Sequence, residues 1–442
     1  MNSWAKVKLK QLGDFRNGAN YPKGSYGKGD KIVNVKDLFK GRYINPDNLV
    51  ELKKEALKNK SLYLTQHGDL LFTRSSLVKS GAGMVAMVYE PVEDILFCGF
   101  IIRYRVKQEI VNPLFLLYLL RSPMYRKLFT DGSVQTNISN INQETLGNIE
   151  VYLPVIDEQN LITQILDNLD AKIELNNKIN QELEAMAKTL YDYWFVQFDF
   201  PNEQGKPYKS SGGKMVYNEE LKREIPEGWK VENLKNNSLT DLIKPRIDLF
   251  EGEKTYLATS DVVNNEINFG ADKITFENRE SRANMQPIPN SIWFAKMKKS
   301  KKVLYIGEYS NYFLENFILS TGFAGLKCKE KYFVEYIWGF VNNYNFEKIK
   351  DILSNGATQE AINNDSMAYI PLIIPNGNIL KEYHKKVFEI YKKIYLNQIE
   401  NQKLAELRDW LLPMLMNGQI KVGEVEEKLS MAAEPSVEYK KG

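Results

Sequence analysis

The chain has 442 residues, room for two to four domains of ordinary size, and its 43% hydrophobic and 26% charged residues suit a protein with more than one core. Its formal net charge of +3 does not by itself mark a nucleic-acid binder, so charge has to be read locally. No apolar run approaches the roughly 20 residues that span a bilayer, and cysteine (Cys98, Cys328) and histidine (His67, His384) occur twice each, which leaves thiolate or imidazole metal sites and a Ser-His-Asp triad poorly supplied. The opening MNSWAKVKLK lacks the apolar core of a signal peptide, and the expected location is the cytoplasm.

The first 150 or so residues read as mixed α and β structure. Short apolar runs at 32–35, 69–72, 84–89 and 95–104 are predicted strands, and PLFLLYLLRSPMY at 113–125 is a predicted helix. Two loops interrupt them with positive charge. Residues 16–31 (RNGANYPKGSYGKGDK) interleave Lys23, Lys28 and Lys31 with Tyr21 and Tyr26 on a glycine-rich backbone, which suits close approach to phosphates with tyrosines against sugars or bases. Residues 72–83 (FTRSSLVKSGAG) present Arg74, Ser75, Ser76 and Lys79 directly after a strand. Cys98 and Cys328 lack CxxC spacing and read as buried small hydrophobes.

Residues 154–198 read as one long helix. Pro154 suits its start, and Asp157 and Glu158 place negative charge where the N-terminal dipole favours it. Ile162, Ile165, Leu169, Ile173, Ile179, Leu183, Met186 and Leu190 recur in steps of three and four, closer to a coiled-coil seam than to the wide stripe of a core helix. Neither Gly nor Pro interrupts the stretch, and at 1.5 Å per residue it would extend roughly 60 Å. A Pro-, Gly- and Ser-containing connector follows, then a second globular stretch. Its loop 294–302 (FAKMKKSKK) carries Lys296, Lys298, Lys299, Lys301 and Lys302, preceded by Arg279 and Arg282, and 333–341 reads as a helix. A second long helix is predicted from Leu380 to about Met416, with Val387, Ile390, Ile394, Leu404, Leu407 and Leu411 at similar spacing. After Ile420 the polar tail is expected to be disordered.

A repeat explains why there are two such helices. With the chain displaced by 221 residues, Pro154 falls on Pro375, Leu169 on Ile390, Lys172-Ile173 on Lys393-Ile394, Leu175-Asn176 on Leu396-Asn397, Asn180-Gln181 on Asn401-Gln402, Leu183 on Leu404 and Leu190 on Leu411, all without a gap. GSVQ at 132–135 parallels GATQ at 356–359, and the strand Leu70-Leu71-Phe72 parallels Ile292-Trp293-Phe294. Two like seams on one chain could pack antiparallel. Each turns polar midway, at Asn176, Asn177 and Asn180 and at Asn397, Gln398 and Asn401; these amides either pair and fix register or face solvent. The expected fold is α+β: two mixed α/β domains joined by two long antiparallel coiled-coil helices as a pseudo-twofold internal repeat.

Catalytic motifs are missing. There is no GxxxxGK[ST] loop, no glycine-rich strand–turn–helix for a nucleotide or methyl donor, and no Asn/Asp-Pro-Pro-aromatic tetrapeptide. The basic loops, in contrast, recur at matching places in both copies. Arginine can read guanine edges bidentately, whereas lysines in a row more often neutralise phosphates.

The pattern resembles the specificity subunits of type I restriction–modification systems. LPVIDEQ at 153–159, WFVQFDFPNEQGKPYKSSGGKMV at 194–216, LRDWLLPMLMNGQI at 407–420, GDLLFTRS at 68–75 and GWK at 228–230 carry the resemblance, which extends from Trp4 to about Ile420. It implies target recognition domains at 1–153 and 228–374, conserved long helices at 154–198 and 375–418, a connector at 199–227 and a tail at 419–442. Each recognition domain would read half of a split double-stranded DNA site, with the helices as spacer and as docking surface for methyltransferase (modification) subunits and a restriction motor-nuclease. The resemblance also implies no catalytic residue, cofactor or metal on this chain: S-adenosylmethionine, ATP and Mg would belong to partner subunits of an adenine-specific methyltransferase and ATP-dependent endonuclease. Expected DNA contacts are Lys23, Tyr26, Lys28, Arg74, Ser75, Lys79, Arg279, Arg282, Lys296, Lys298 and Lys299. The expected helix seam is Ile162, Ile165, Leu169, Ile173, Asn176, Leu183, Leu190, Ile390, Ile394, Asn397, Leu404 and Leu411. The rival readings are a helical scaffold that assembles partners without reading DNA, and a self-sufficient methyltransferase.

Overall fold

The computed structural model describes residues 4–76, 81–90, 94–131, 139–263, 266–267, 271–356 and 360–419. Lys79, the residues 132–135 and 357–359 of the paired GSVQ and GATQ segments, and the tail from 420 lie outside them. The chain forms two compact units, neither coinciding with a simple half: unit 1 is Met1–Lys172 with Lys403–Gly442, and unit 2 is Ile173–Gln402.

In unit 1 an antiparallel sheet runs in the order Gly13–Asn17, Ile101–Val106, Leu70–Thr73, Val85–Met87, with Leu70 opposite both Tyr104 and Met87. A second sheet pairs Gly29–Val33 antiparallel with Val50–Lys53 and parallel with Ile95–Phe97. The apolar run 95–104, expected as one strand, is therefore two. Ile101 N–H bonds back to Cys98 O at 2.9 Å, and this turn hands the chain from one sheet to the other while leaving Phe100 63% exposed. The expected helix 113–125 is likewise two, Pro113–Arg121 and Pro123–Asp131. Pro123 has no N–H to continue the first helix, and the residue before a proline is driven extended, as Ser122 is at φ −61°, ψ 151°. Ala5–Lys8 pairs with Glu150–Leu153, the strand that leads into the first long helix.

That helix spans Ile156–Tyr191 and continues through a π-helical turn at Asp192–Val196. Its entry is fixed by Gln159, fully buried, whose amide donates to Pro154 O (2.9 Å) and Ile110 O (3.1 Å) and accepts from Asn112 N–H (2.9 Å). Every polar atom of this buried side chain is thereby satisfied. Ile162, Ile165 and Leu169 enter the unit 1 core with Leu411, Leu415 and Met416 of the second long helix, Gly377–Met416, and Leu404 and Leu407 pack against it.

A cluster of charges sits where this core meets the loop at 40–44. Asp170, 8% exposed, accepts from Arg42 Nη1 (2.6 Å) and Tyr118 Oη (2.6 Å) on one oxygen and from Arg408 Nη1 (2.7 Å) on the other. Arg42 also approaches Asp167 at 3.3 Å.

Unit 2 contains an antiparallel sheet in the order Thr240–Ile243, Phe323–Cys328, Ser291–Ala295, Val303–Ile306. Its other four-stranded sheet is ordered Lys273–Ile274, Lys254–Leu257, Phe317–Ser320, Ala283–Met285, with the middle pair parallel. Lys230–Asn233 pairs with Pro371–Ile374 ahead of the second long helix. The stretch expected as a connector is built into this unit. Met215–Asn218 and Arg223–Pro226 form a hairpin, and Phe198, Phe200, Ile225 and Trp229 are buried in the unit 2 core. Cys98 and Cys328 are both buried free thiols, raised above their ordinary value by burial.

Of the residues expected in the helix seam, Ile173, Asn176, Leu183, Leu190, Ile390, Ile394 and Asn397 fall in unit 2, all at least partly buried. Met186, which shares their spacing, is 58% exposed, and its neighbour Ala187 (1%) is buried. The small residue fits there because the bulky Tyr191, Trp194 and Tyr383 crowd the same face. Within unit 2 the midway amides bond across the helices. Asn176 Nδ2 donates to Asn401 Oδ1 (2.9 Å) and Glu400 Oε2 (2.8 Å), Asn397 Nδ2 to Asn180 Oδ1 (2.8 Å), and Asn401 Nδ2 to Asn177 Oδ1 (2.8 Å). Rising numbers on one helix meet falling numbers on the other. Replacing Asn397 alone by Leu strips the buried Asn180 carbonyl of its donor and is expected to cost about 1–3 kcal/mol. The double variant N180L/N397L is expected to regain most of that, and a denaturation double-mutant cycle reads the coupling.

Candidate nucleic-acid interface

The basic loop of unit 2 joins two sheet strands and is tethered at nearly every residue. Lys296, directly after Ser291–Ala295, donates its N–H to Gly322 O (3.0 Å) and accepts from Ile362 N–H (2.9 Å). Lys298 ion-pairs with Glu360 at 2.7 Å and donates its backbone N–H to Glu360 O at 2.9 Å. Lys299, exposed, has φ +54° and donates its N–H to Asp351 Oδ1 at 2.9 Å. Lys302 Nζ reaches Thr259 O at 2.5 Å. Below the loop lies Lys350, 1% exposed, whose ammonium meets the carbonyls of Ala295 (3.3 Å), Met297 (2.9 Å) and Ser300 (3.0 Å) and the Glu347 carboxylate (2.8 Å).

The turn at Thr321–Gly322 brings further cations in. Thr321 N–H donates to Arg282 O at 2.9 Å, so Arg282, exposed, and Lys296 flank one turn. Burial, and secondarily the nearby Lys244 charge, lowers the Lys296 ammonium below its ordinary value. Among the described residues neither of these two ammonium groups is paired with a carboxylate. Arg279 lies over the Phe276 ring, 3.8 Å from its centroid, and donates to Phe276 O, so its guanidinium is already engaged.

Unit 1 offers a corresponding edge. Arg74, directly after Leu70–Thr73, donates its N–H to Phe100 O (2.8 Å) and accepts from Ile141 N–H (2.9 Å), while its Nη1 lies 3.4 Å from Gly99 O. Ser75 pairs with Asn140 in a two-residue strand contact. Lys23, Tyr26 and Lys28 are exposed on a separate loop, where Tyr26 Oη sits 2.9 Å from Tyr21 Oη with the rings edge to face. Burial first, and then this hydrogen bond, raise the Tyr21 hydroxyl well above its ordinary value. No described contact joins that loop to Arg74.

Of the residues expected from sequence, Arg282, Lys296 and Lys299 gather at one edge of unit 2 and Arg74 occupies an edge of unit 1. Lys298 and Arg279 are committed to internal partners. Lys244, Phe100 and Lys350 were not anticipated. Lys244 stands alone in sequence, Phe100 lay inside an apparent strand, and a helical lysine such as Lys350 reads as solvated.

Residues 1–185 match the type I restriction modification DNA specificity domain. The MjaIX specificity subunit of Methanocaldococcus jannaschii is 26% identical over 451 residues, covering 96% of this chain and 94% of that one. Along nearly its whole length the chain is similar to type I restriction–modification specificity subunits. The HindI specificity subunit of Haemophilus influenzae is 24% identical over 441 residues, covering 88% of this chain and 94% of the relative. A solved specificity subunit from M. genitalium shares the fold at TM-score 0.54 and 16% identity, over 94% of this chain and 97% of that one. Specificity subunits of type I restriction–modification systems are non-catalytic, and these relatives carry that name. Among the described residues no helix is long and apolar enough to cross a membrane.

Proposed function

We propose that this chain, a specificity subunit of a type I restriction–modification system, reads a bipartite double-stranded DNA site, one half with each of two copies of a single recognition unit. One observation carries the reading: the same backbone frame presents a cation in each unit. Arg74 and Lys296 both follow the third strand, in spatial order, of an antiparallel four-stranded sheet. Both donate N–H to a turn carbonyl (Phe100, Gly322), and both accept from an isoleucine N–H (Ile141, Ile362). The two units also share the parallel strand pair in the second sheet and the strand pair that precedes each long helix. The target recognition domains are 1–153 and 228–374, and the paired long helices form an antiparallel coiled coil whose length sets the spacer.

In this reading Arg74, Lys296, Lys244 and Arg282 supply base-edge or phosphate contacts at the sheet edges, with Phe100 offering an apolar surface to a thymine methyl. Lys23, Tyr26, Lys28 and Lys299 follow the backbone. Exposed Leu175, Met186, Leu396 and Trp410 on the long helices fit docking of methyltransferase subunits and, through them, a restriction subunit. S-adenosylmethionine, ATP and Mg then act on those partners, in the cytoplasm.

The test uses the chain assembled with methyltransferase subunits. Exchanging residues 1–153 for those of a relative is expected to change the preferred bases of one half-site and leave the other half and the spacer untouched. Binding should weaken steeply with salt as phosphate contacts release counterions. Sequence-indifferent binding with a shallow salt response would instead identify a scaffold.

A further inference from the structure

We infer that Lys350 is a positioning residue for DNA reading by the second unit: its buried ammonium sets the shape in which the loop 296–302 meets its half-site. The inference rests on the proposed DNA-reading function and deepens it.

A run such as KMKKSKK in a surface loop needs no internal support if its lysines merely raise solubility. Here the support is extensive and costly. An ammonium group is rarely buried unless every N–H is matched, because its desolvation is otherwise uncompensated. Lys350 lies on the helix Tyr344–Leu353, and its three donors are used on carbonyls of Ala295, Met297 and Ser300, with Glu347 one turn away supplying the countercharge. These carbonyls come from the end of a strand and from two points along the loop, so one cation gathers the loop's concave side. From the next residue of the same helix, Asp351 holds the Lys299 N–H.

Lys299 shows what this arrangement maintains. It is a side-chain-bearing residue at φ +54°, a region such residues avoid unless their surroundings over-determine it. It is also exposed, so the unusual backbone directs nothing into the core. Strain held by a buried cation beneath an exposed, positively charged loop is the arrangement expected of a preorganised contact surface: the ordering cost is met in folding and does not fall on binding. Lys350 itself touches no DNA in this scheme. It acts through Lys296 and Lys299.

The experiment measures initial methylation rates of the assembled complex on duplexes with single base changes in each half-site. The second unit's half-site is identified beforehand by exchanging residues 228–374. Lys350→Met is expected to lower discrimination at that half-site by about tenfold, the scale of one lost base preference, and to leave the other half unchanged. Lys350→Arg, which keeps a buried cation with N–H donors, is expected to recover most of the discrimination. Equal loss at both half-sites, or no loss at either, overturns the inference while leaving DNA reading intact. A wild-type complex that discriminates at neither half overturns both. If Lys350→Met does not fold, Asp351→Ala decides. It cuts the tether at Lys299 and removes a carboxylate 4.0 Å from the Lys350 ammonium, and a discrimination profile identical to wild type then refutes the positioning role.

Discussion

Asp170→Ala is expected to destabilise unit 1 by about 3–5 kcal/mol, because it removes one side of a buried ion cluster and leaves the other side in place. The Asp170 carboxylate accepts from two guanidinium groups and a tyrosine hydroxyl, and Arg42 and Tyr118 have little water to turn to. Arg42 would retain the longer contact to Asp167, and Arg408 its contact to Asp409. In the wild type, burial first and then the Asp170 contact hold the Tyr118 hydroxyl well above its ordinary value. Chemical denaturation should show a lower midpoint, and hydrogen exchange should place the loss in helix Pro113–Arg121. The triple change Arg42→Met, Asp170→Leu, Arg408→Met should recover much of it, since apolar packing can replace a whole buried ion cluster though not half of one. An unchanged midpoint for Asp170→Ala would mean the cluster contributes nothing net.

Trp229→Ala is expected to cost unit 2 a similar amount, about 3–5 kcal/mol, through the cavity left by a large buried ring. Trp229 is 8% exposed, stacks on Phe200 at 5.1 Å between centroids and meets Phe198 edge-on at 5.6 Å. The consequence reaches beyond stability. If these aromatics anchor the segment that follows the first long helix, proteolysis between 198 and 229 should be slow in the wild type and fast in Trp229→Ala. Rapid cleavage of the wild type would mean that these aromatics do not anchor it.

That segment carries two signals in its sequence. FPNEQGKPYKSSGG has the composition of a linker, and turn residues do shape it, but the flanking Phe198, Phe200, Ile225 and Trp229 carry the stronger signal. A linker has no use for buried rings. The helices were far easier to read, because a seam in steps of three and four repeats within one element and its counterpart repeats 221 residues later. Met186 shows the limit of that reading: periodicity alone does not say whether an apolar residue or its neighbour Ala187 faces inward when bulky partners crowd the face. The run at 95–104 was read as one strand because continuous apolar character is the same in either sheet. What divides it is the backbone bond pattern at Cys98 and Ile101. At the candidate interface, Arg74 and Lys296 were visible as cations that follow matching strands. Lys350 was not, because its partners are backbone carbonyls about 50 residues upstream, and no side-chain pattern records them.

The core of unit 1 is completed by Leu411, Leu415 and Met416, and the whole of unit 2 lies between them and Lys172. On the ribosome, residues 173–402 all emerge before the segment that seals the first core. Unit 1 is begun first and finished last, the reverse of the usual N-to-C order of domain folding. A chain stopped short of Leu404 would possess every strand of unit 1 and still lack Leu411, Leu415 and Met416 from the core that holds Ile162, Ile165 and Leu169. The first core therefore closes only when the last helix has been made.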